Sequence, residues 1–291
     1  MRTRNLCALT NFEVEQYLER NDVIFIPVGT VELHGPLPLD CEYVMVEALA
    51  YKLAEACDGL VLPHLAYFHP GATDIGRGTV YVNMTDGMQY LRAIAQSLLN
   101  QGFRRQVFLS AHGPAYMTIL PMLTQFLDET KVPLFYGDMM TLMRECDFPM
   151  NFEDLDAMTC GAYKLVGRLE DIPLGMNDPR IVIGPESDLS HCMPESSKHL
   201  MPKTGGYYTA WKYGNVLEHG GQNKPIMTAE ERETLAEKGI RKLDELVEKL
   251  DFNVKLDALR DLDKFHQEVI MPLYGDWLVR NKFPNPPKFQ K

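Results

Sequence analysis

"VIFIPVGTVELHGPLPLDCEY", residues 23–43, decides the fold. Its first six residues form a continuous apolar run bounded by Asp22 and Gly29, which is how a strand covered on both faces reads. The run then breaks. Glu32, His34, Asp40 and Glu42 crowd into eleven positions punctuated by Gly35, Pro36 and Pro38. From Tyr43 to Ala56 the apolar residues fall at helical spacing, and "GLVLP" at 59–63 returns to strand character. The order is already strand, helix, strand, with a dense polar turn after the first strand.

The same alternation continues outward. "TDGMQYLRAIAQSLLNQGF" opens on a Thr85/Asp86 cap signal, carries an amphipathic helix and ends at Gly102 before the strand "QVFLSA" at 106–111. "AYMTILPMLTQFLDET" predicts a helix kinked at Pro121, and "VPLFYGD" at 132–138 a further strand. Strands alternating with helices predict right-handed crossovers, hence an α/β fold with a mainly parallel sheet and helices on both faces. Such sheets place ligands at the carboxyl ends of their strands.

Beyond residue 150 the pattern is sparser. "NFEDLDAMTCGAYKLVGRLEDI" is helical in its middle, "RIVIG" at 180–184 is a short strand, and 185–226 is a long irregular stretch. Its aromatics, Tyr207, Tyr208, Trp211 and Tyr213, suit a lid or a site wall. Residues 228–250 predict a helix opened by a capping box, Thr228 three positions before Glu231. The tail, 252–291, is either a frayed end or an arm laid on a neighbouring subunit. Neither repeats nor linkers divide the chain, so residues 1–291 are expected to form a single domain.

Composition excludes several roles. A net charge of -11 argues against a nucleic-acid partner, which needs a basic face, and "FRRQ" at 103–106 is too short to supply one. No apolar stretch approaches the roughly 18–20 residues of a bilayer span, and the first residues turn acidic where a secretory signal would be apolar. A cytoplasmic protein is expected. The six cysteines lack CxxC spacing and read as reduced thiols; Cys41 and Cys192 sit among polar residues and could be core residues or line a site.

The polar turn follows the first strand at the end where such folds build sites. In extended chain, side chains two apart point the same way, so Glu32 pairs with His34, and Asp40 with Glu42. Carboxylates and imidazoles together suit zinc, manganese or a similar divalent ion, and two carboxylates could bridge two ions. The strand 106–111 delivers His112 to the same sheet edge. Each histidine alone could equally cap a helix or bond a carbonyl; together, with a glycine after each and acids beside the first, they favour metal ligation.

"PVGTVELHGPLPLD" resembles the signature of the creatininase family of metal-dependent amidohydrolases, roughly P-V-G-S-x-E-x-H-G-P-H-L-P-L-x-x-D. "GRGTV" at 76–80, "LSAHGPAY" at 109–116 and "AEKGIRKL" in the last helix are similar to later family segments. The resemblance implies a three-layer α/β sandwich, a homo-oligomer with a hexamer favoured, and one or two metal ions per subunit that activate water against a cyclic amide or similar carbonyl. Carried over by position, Glu32, His34 and His112 match metal ligands, and either Asp40 or Glu42 matches the bridging carboxylate.

The sequence also departs from that signature. The histidine between Pro36 and Leu37 is missing, Pro114 stands where some members carry a glutamate, and "TCGAYKLVG" at 159–167 places Ala162 and Lys164 at glutamate positions. One tightly held ion is therefore expected. Lys164 either polarises a carbonyl near the vacated position or is solvated on a helix surface. Glu186, His191, Glu195 and His199 either restore a ligand or form an ordinary polar loop. His112, if unligated, or a loop histidine would protonate the leaving atom.

Three functions follow in order: a hydrolase of cyclic amides; a hydrolase that opens a cyclic keto-polyol of the 3-dehydro-scyllo-inosose type by carbon–carbon cleavage, with Tyr207–Tyr213, Glu218 and His219 binding hydroxyls; and a non-catalytic metabolite binder.

Overall fold

Strand β1 (Val23–Pro27) is buried at every position because it lies inside the sheet. In a computed structural model describing residues 1–35, 37–71, 73, 77–149, 151–175, 194–196 and 226–278, β2 (Leu60–Val61) flanks β1 on one side and β3 (Arg105–Ser110) on the other. Ile24 registers with Leu60, and Phe25 with both Val61 and Val107. Strand β4 (Phe135–Asp138) adds to β3 with Leu109 opposite Gly137. All pairings are parallel and the order is β2-β1-β3-β4.

Parallel neighbours need crossovers, which helices supply on both faces. After α1 (Asn11–Leu18), which precedes the sheet, α2 (Cys41–Ala56) runs between β1 and β2, α3 (Met84–Gln101) between β2 and β3, and α4 (Tyr116–Thr130) between β3 and β4. Side chains alternate along the strands, sending Phe25, Val107 and Leu109 into one core with α2, and Ile24, Ile26 and Phe108 into a second core with α3 and α4. The path steps from β1 to β2 on one side and returns to β3 on the other. The strand order therefore reverses at the carboxyl ends of β1 and β3, where such sheets form a crevice.

The boundaries follow local chemistry. Asn83, not Thr85, caps α3 by accepting from Asp86 N–H at 3.0 Å, and Gly102 ends the helix at φ 109. A short helix unanticipated in the sequence, α5 (Met139–Glu145), starts where Asp138 caps the Thr141 N–H. Helices α6 (Phe152–Leu165) and α7 (Ala229–Leu250) join α2 on its face of the sheet. Thr228 caps α7 at 3.0 Å from the Glu231 N–H, while the Glu231 carboxylate reaches the Met227 N–H instead of closing the capping box.

The chain after 251 begins as a helix packed on the core. Helix α8 (Phe252–Phe265) seats Phe252 against Phe25 and Phe135, with ring centroids at 5.6 and 5.3 Å. Asp263 accepts from Arg104 and Arg105 at the start of β3. A π-helical turn, His266–Ile270, leads into α9 (Met271–Leu278). The expected strand at 180–184, most of 185–226 and the tail from 279 lie outside the described residues.

Candidate metal centre

The polar turn after β1 is folded back on itself by its own backbone. Val28 N–H donates to Leu109 and Gly29 N–H to Leu65, so the chain leaves the sheet between the strand ends. Glu32 N–H donates to Leu39 at 2.8 Å, closing the turn that contains both prolines. A Cβ on Gly29 would stand 2.7 Å from Tyr43 Cβ. The first turn of α2 therefore rests on the strand end, returning Glu42 to Glu32.

His112 arrives from β3. Its Nδ1 lies 2.8 Å from Glu32 Oε1 and 2.7 Å from Glu42 Oε2, and its Nε2 lies 2.9 Å from the His69 carbonyl oxygen. A carbonyl accepts and cannot donate, so Nε2 carries a proton and Nδ1 is the atom turned toward the two carboxylates. Thr30 donates to Glu32 Oε1 at 2.9 Å, and the Thr73 hydroxyl contacts Oε2. Glu32 and His112 are 1% and 2% exposed, so these charges must be neutralised locally.

Electrostatics express that need. Burial raises Glu42 to about 7. Burial would also raise Glu32, but hydrogen bonding and attraction from His112 hold it down at about 2. Burial would lower the His112 imidazolium, yet Glu42 and Glu32 outweigh it and lift the ring to about 10. The trio thus keeps a proton at Nδ1. A divalent cation in that place would satisfy the same three groups.

Ligand atoms of Glu32, His34 and Glu42 all lie within 4.8 Å of one another, which suits donors around one ion at about 2.0–2.2 Å. Two carboxylates and an imidazole suit zinc or manganese, and His112 Nδ1 stands against both carboxylates. The centre sits where the strand order reverses.

Two expected site residues fall elsewhere. Asp40 is drawn away from the cluster: its carboxylate accepts from Tyr163 Oη at 2.6 Å and from Arg168 Nη1 at 2.6 Å. Asp40 and Glu42 do not share a side as in extended chain, because they belong to the start of α2, where two positions turn side chains about 200° apart. Lys164 is paired with Glu233 and Glu237 on α7, since Gly161 on the same α6 face packs against Gly239. His112 lies inside the cluster, with Nδ1 against Glu32 and Glu42 and Nε2 against the His69 carbonyl.

Glu186, His191, Cys192, His199, Tyr207, Tyr208, Trp211, Tyr213, Glu218 and His219 lie outside the described residues, whereas Glu195 is described and exposed. Cys41 is buried, which pushes its thiol well up, out of the reactive range.

Three contributors were not anticipated: the Thr30 hydroxyl, the Thr73 hydroxyl and the His69 carbonyl. Thr30 stands two before Glu32 inside the quoted turn, a visible signal. The others belong to the loop after β2, whose position at the same sheet edge was the available clue.

The profile of the creatininase family, described as creatinine amidohydrolase, matches residues 8–158. The chain belongs to the creatininase family. Among curated proteins it is 31% identical over 112 residues to 3-dehydro-scyllo-inosose hydrolase of Thermotoga maritima (strain MSB8), across 38% of this chain and 36% of that protein. The match thus spans about a third of that relative's length. A crystal structure of creatinine amidohydrolase (creatininase) superposes with TM-score 0.56 at 17% identity, covering 85% of this chain and 97% of the other. A zinc–zinc form of a creatininase mutant gives 0.55 at 16% identity over 85% and 98%, and a manganese creatininase 0.51 at 16% over 84% and 97%. These likenesses establish the three-layer α/β fold.

Proposed function

We propose that the protein is a metal-dependent hydrolase that opens a small cyclic substrate. The observation that supports this reading is the placement of the Glu32 and Glu42 carboxylates against His34 and against His112 Nδ1 at the reversal of strand order. Zinc or manganese, one ion per subunit, would be held by those four residues. Bound, such an ion supplies a Lewis acid and shifts the ionisation of water from about 15.7 toward 7.

The chain's own residues prepare the site. The His69 carbonyl holds the His112 proton at Nε2 and keeps Nδ1 available. Thr30 fixes one oxygen of Glu32. In hydrolysis the water oxygen joins the carbonyl carbon, the ring bond to that carbon breaks, and a proton passes to the departing atom. With both His112 nitrogens committed, a loop histidine, His191 or His199, is the proposed donor, and Glu186 an added ligand.

The proposed substrate is a cyclic amide, in line with the family's description as creatinine amidohydrolase. The second reading, a cyclic keto-polyol cleaved between carbons, is favoured by the segment shared with the inosose hydrolase. The test is a ring-opening screen of protein loaded with zinc or manganese against creatinine, lactams, cyclic imides and keto-inositols. Turnover that disappears with chelation and in Glu32→Gln supports the hydrolase. Tight binding of one of these compounds by metal-free protein, without turnover, would make it a metabolite binder and contradict the proposal.

The reading extends to assembly: a single domain over residues 1–291 that self-associates in the cytoplasm. Leu262, Phe265, Val269 and Leu273 leave 40–65% of their surface exposed along one side of the last helices. A second copy is the proposed cover. Among the described residues no helix is long and apolar enough to cross a membrane. Light scattering should report an oligomer, a hexamer by family resemblance, whose mass falls with Phe265→Asp; a monomeric parent protein would contradict it.

A further inference from the structure

The treatment of Asp40 is unusual for its position. An aspartate at a helix N-cap ordinarily turns its carboxylate onto the N–H groups of the first turn. Asp40 caps α2 but makes no such bond. Instead its Oδ1 accepts from Tyr163 Oη and its Oδ2 from Arg168 Nη1, each at 2.6 Å.

Both partners are themselves fixed. The Tyr163 ring is fully buried in the core beneath α2. The Arg168 guanidinium lies 5.3 Å from that ring's centroid and donates through Nε to Asp171 at 2.6 Å. A planar cation held on one side by an aromatic face and on another by a second carboxylate has little freedom to follow Asp40 elsewhere.

Two residues on, Glu42 points to His112. Each helical residue turns by about 100°, so drawing Asp40 toward α6 fixes the rotation that delivers Glu42 to the opposite side. The same hold neutralises a carboxylate that is otherwise two residues from the donor set.

We propose that Tyr163 and Arg168 are positioning residues for the metal ligand Glu42: by retaining Asp40 outside the cluster they set the first turn of α2 and exclude a competing carboxylate from the ion. The inference rests on the metal centre proposed above and names residues that act on it without touching the ion.

The experiment measures zinc and manganese affinity of purified, folded protein by competition with a chromophoric chelator. Arg168→Met, Tyr163→Phe and Asp40→Asn are compared with the parent and with Lys164→Met, a change on the same helix that faces α7. Affinity should fall about tenfold in each of the three, as for residues that orient ligands, and the Asp40→Asn/Arg168→Met pair should be less than additive. Lys164→Met should bind as the parent does. Because Tyr163 is buried, the half-exposed Arg168 gives the decisive variant if Tyr163→Phe fails to fold. Metal affinity within about twofold of the parent in folded Arg168→Met and Asp40→Asn, with only melting temperature lowered, would overturn the inference. A parent protein that binds neither metal would overturn the metal centre as well, so the two failures are distinguishable.

Discussion

A β-carbon on Gly239 of α7 would stand 1.8 Å from the carbonyl oxygen of Ala157 on α6. One added on Gly161 would stand 2.6 Å from the Gly239 carbonyl carbon. The two helices therefore cross backbone against backbone, and neither glycine can gain a side chain without separating them.

Gly239→Ala should lower stability despite alanine's better helix propensity, worth about 1 kcal/mol in the opposite direction. A net loss of about 2–3 kcal/mol is expected from overpacking, read as a fall in the urea midpoint. Because α6 carries Tyr163, metal affinity should fall too. A variant as stable as the parent would show that the crossing is looser than described.

The ligands should separate from their supports by the size of the effect. Glu32→Gln, Glu42→Gln and His112→Ala should each weaken zinc binding by more than about a hundredfold, beyond the 10–100-fold typical of groups that merely orient ligands. Thr30→Val, which removes one hydrogen bond to Glu32, should fall within that lower range. Equal effects from Thr30 and Glu42 in a chelator competition would contradict the assignment.

Much of this was legible in the chain because two signals coincide there. An unbroken apolar run fixed β1 as a central strand, and the polar cluster immediately after it marked the sheet edge where Glu32 and His34 stand. His112 followed from the same logic at the end of β3. Asp40 and Glu42 could not be separated by spacing alone, since an extended turn puts them together and a helix start puts them apart. Lys164 was illegible for another reason: periodicity assigns a helix its faces but not the neighbour each face meets. The Gly161–Gly239 contact that settles its place joins segments far apart in sequence.

Lys164→Met should therefore leave metal affinity and any turnover unchanged. Among the described residues its ammonium is paired with exposed carboxylates of α7, Glu233 and Glu237, and exposed pairs contribute little. A large loss of turnover at unchanged fold would return Lys164 to the site.

Acid stability should depend on Asp263. Burial would raise its carboxyl, but hydrogen bonds and attraction from Arg104 and Arg105 outweigh this and hold it below the ordinary range. Since the folded value lies below that of the unfolded chain, about 3.9, its contribution is complete above that pH and is lost as pH falls through the folded value. Asp263→Asn should cost about 2 kcal/mol at pH 7 and flatten the decline in urea midpoint below about pH 4. An unchanged acid profile would show that other carboxylates govern it.

Glu32, Glu42, His34 and His112 Nδ1 are proposed to share one cation. Anomalous diffraction at the zinc and manganese edges, from crystals of protein purified without chelators, tests it most directly. One peak per subunit is expected at about 2 Å from the carboxylates and from Nδ1 rather than Nε2 of His112. No peak at that position in protein soaked with either metal, or an ion bound through Nε2 with the His69 contact broken, would contradict it.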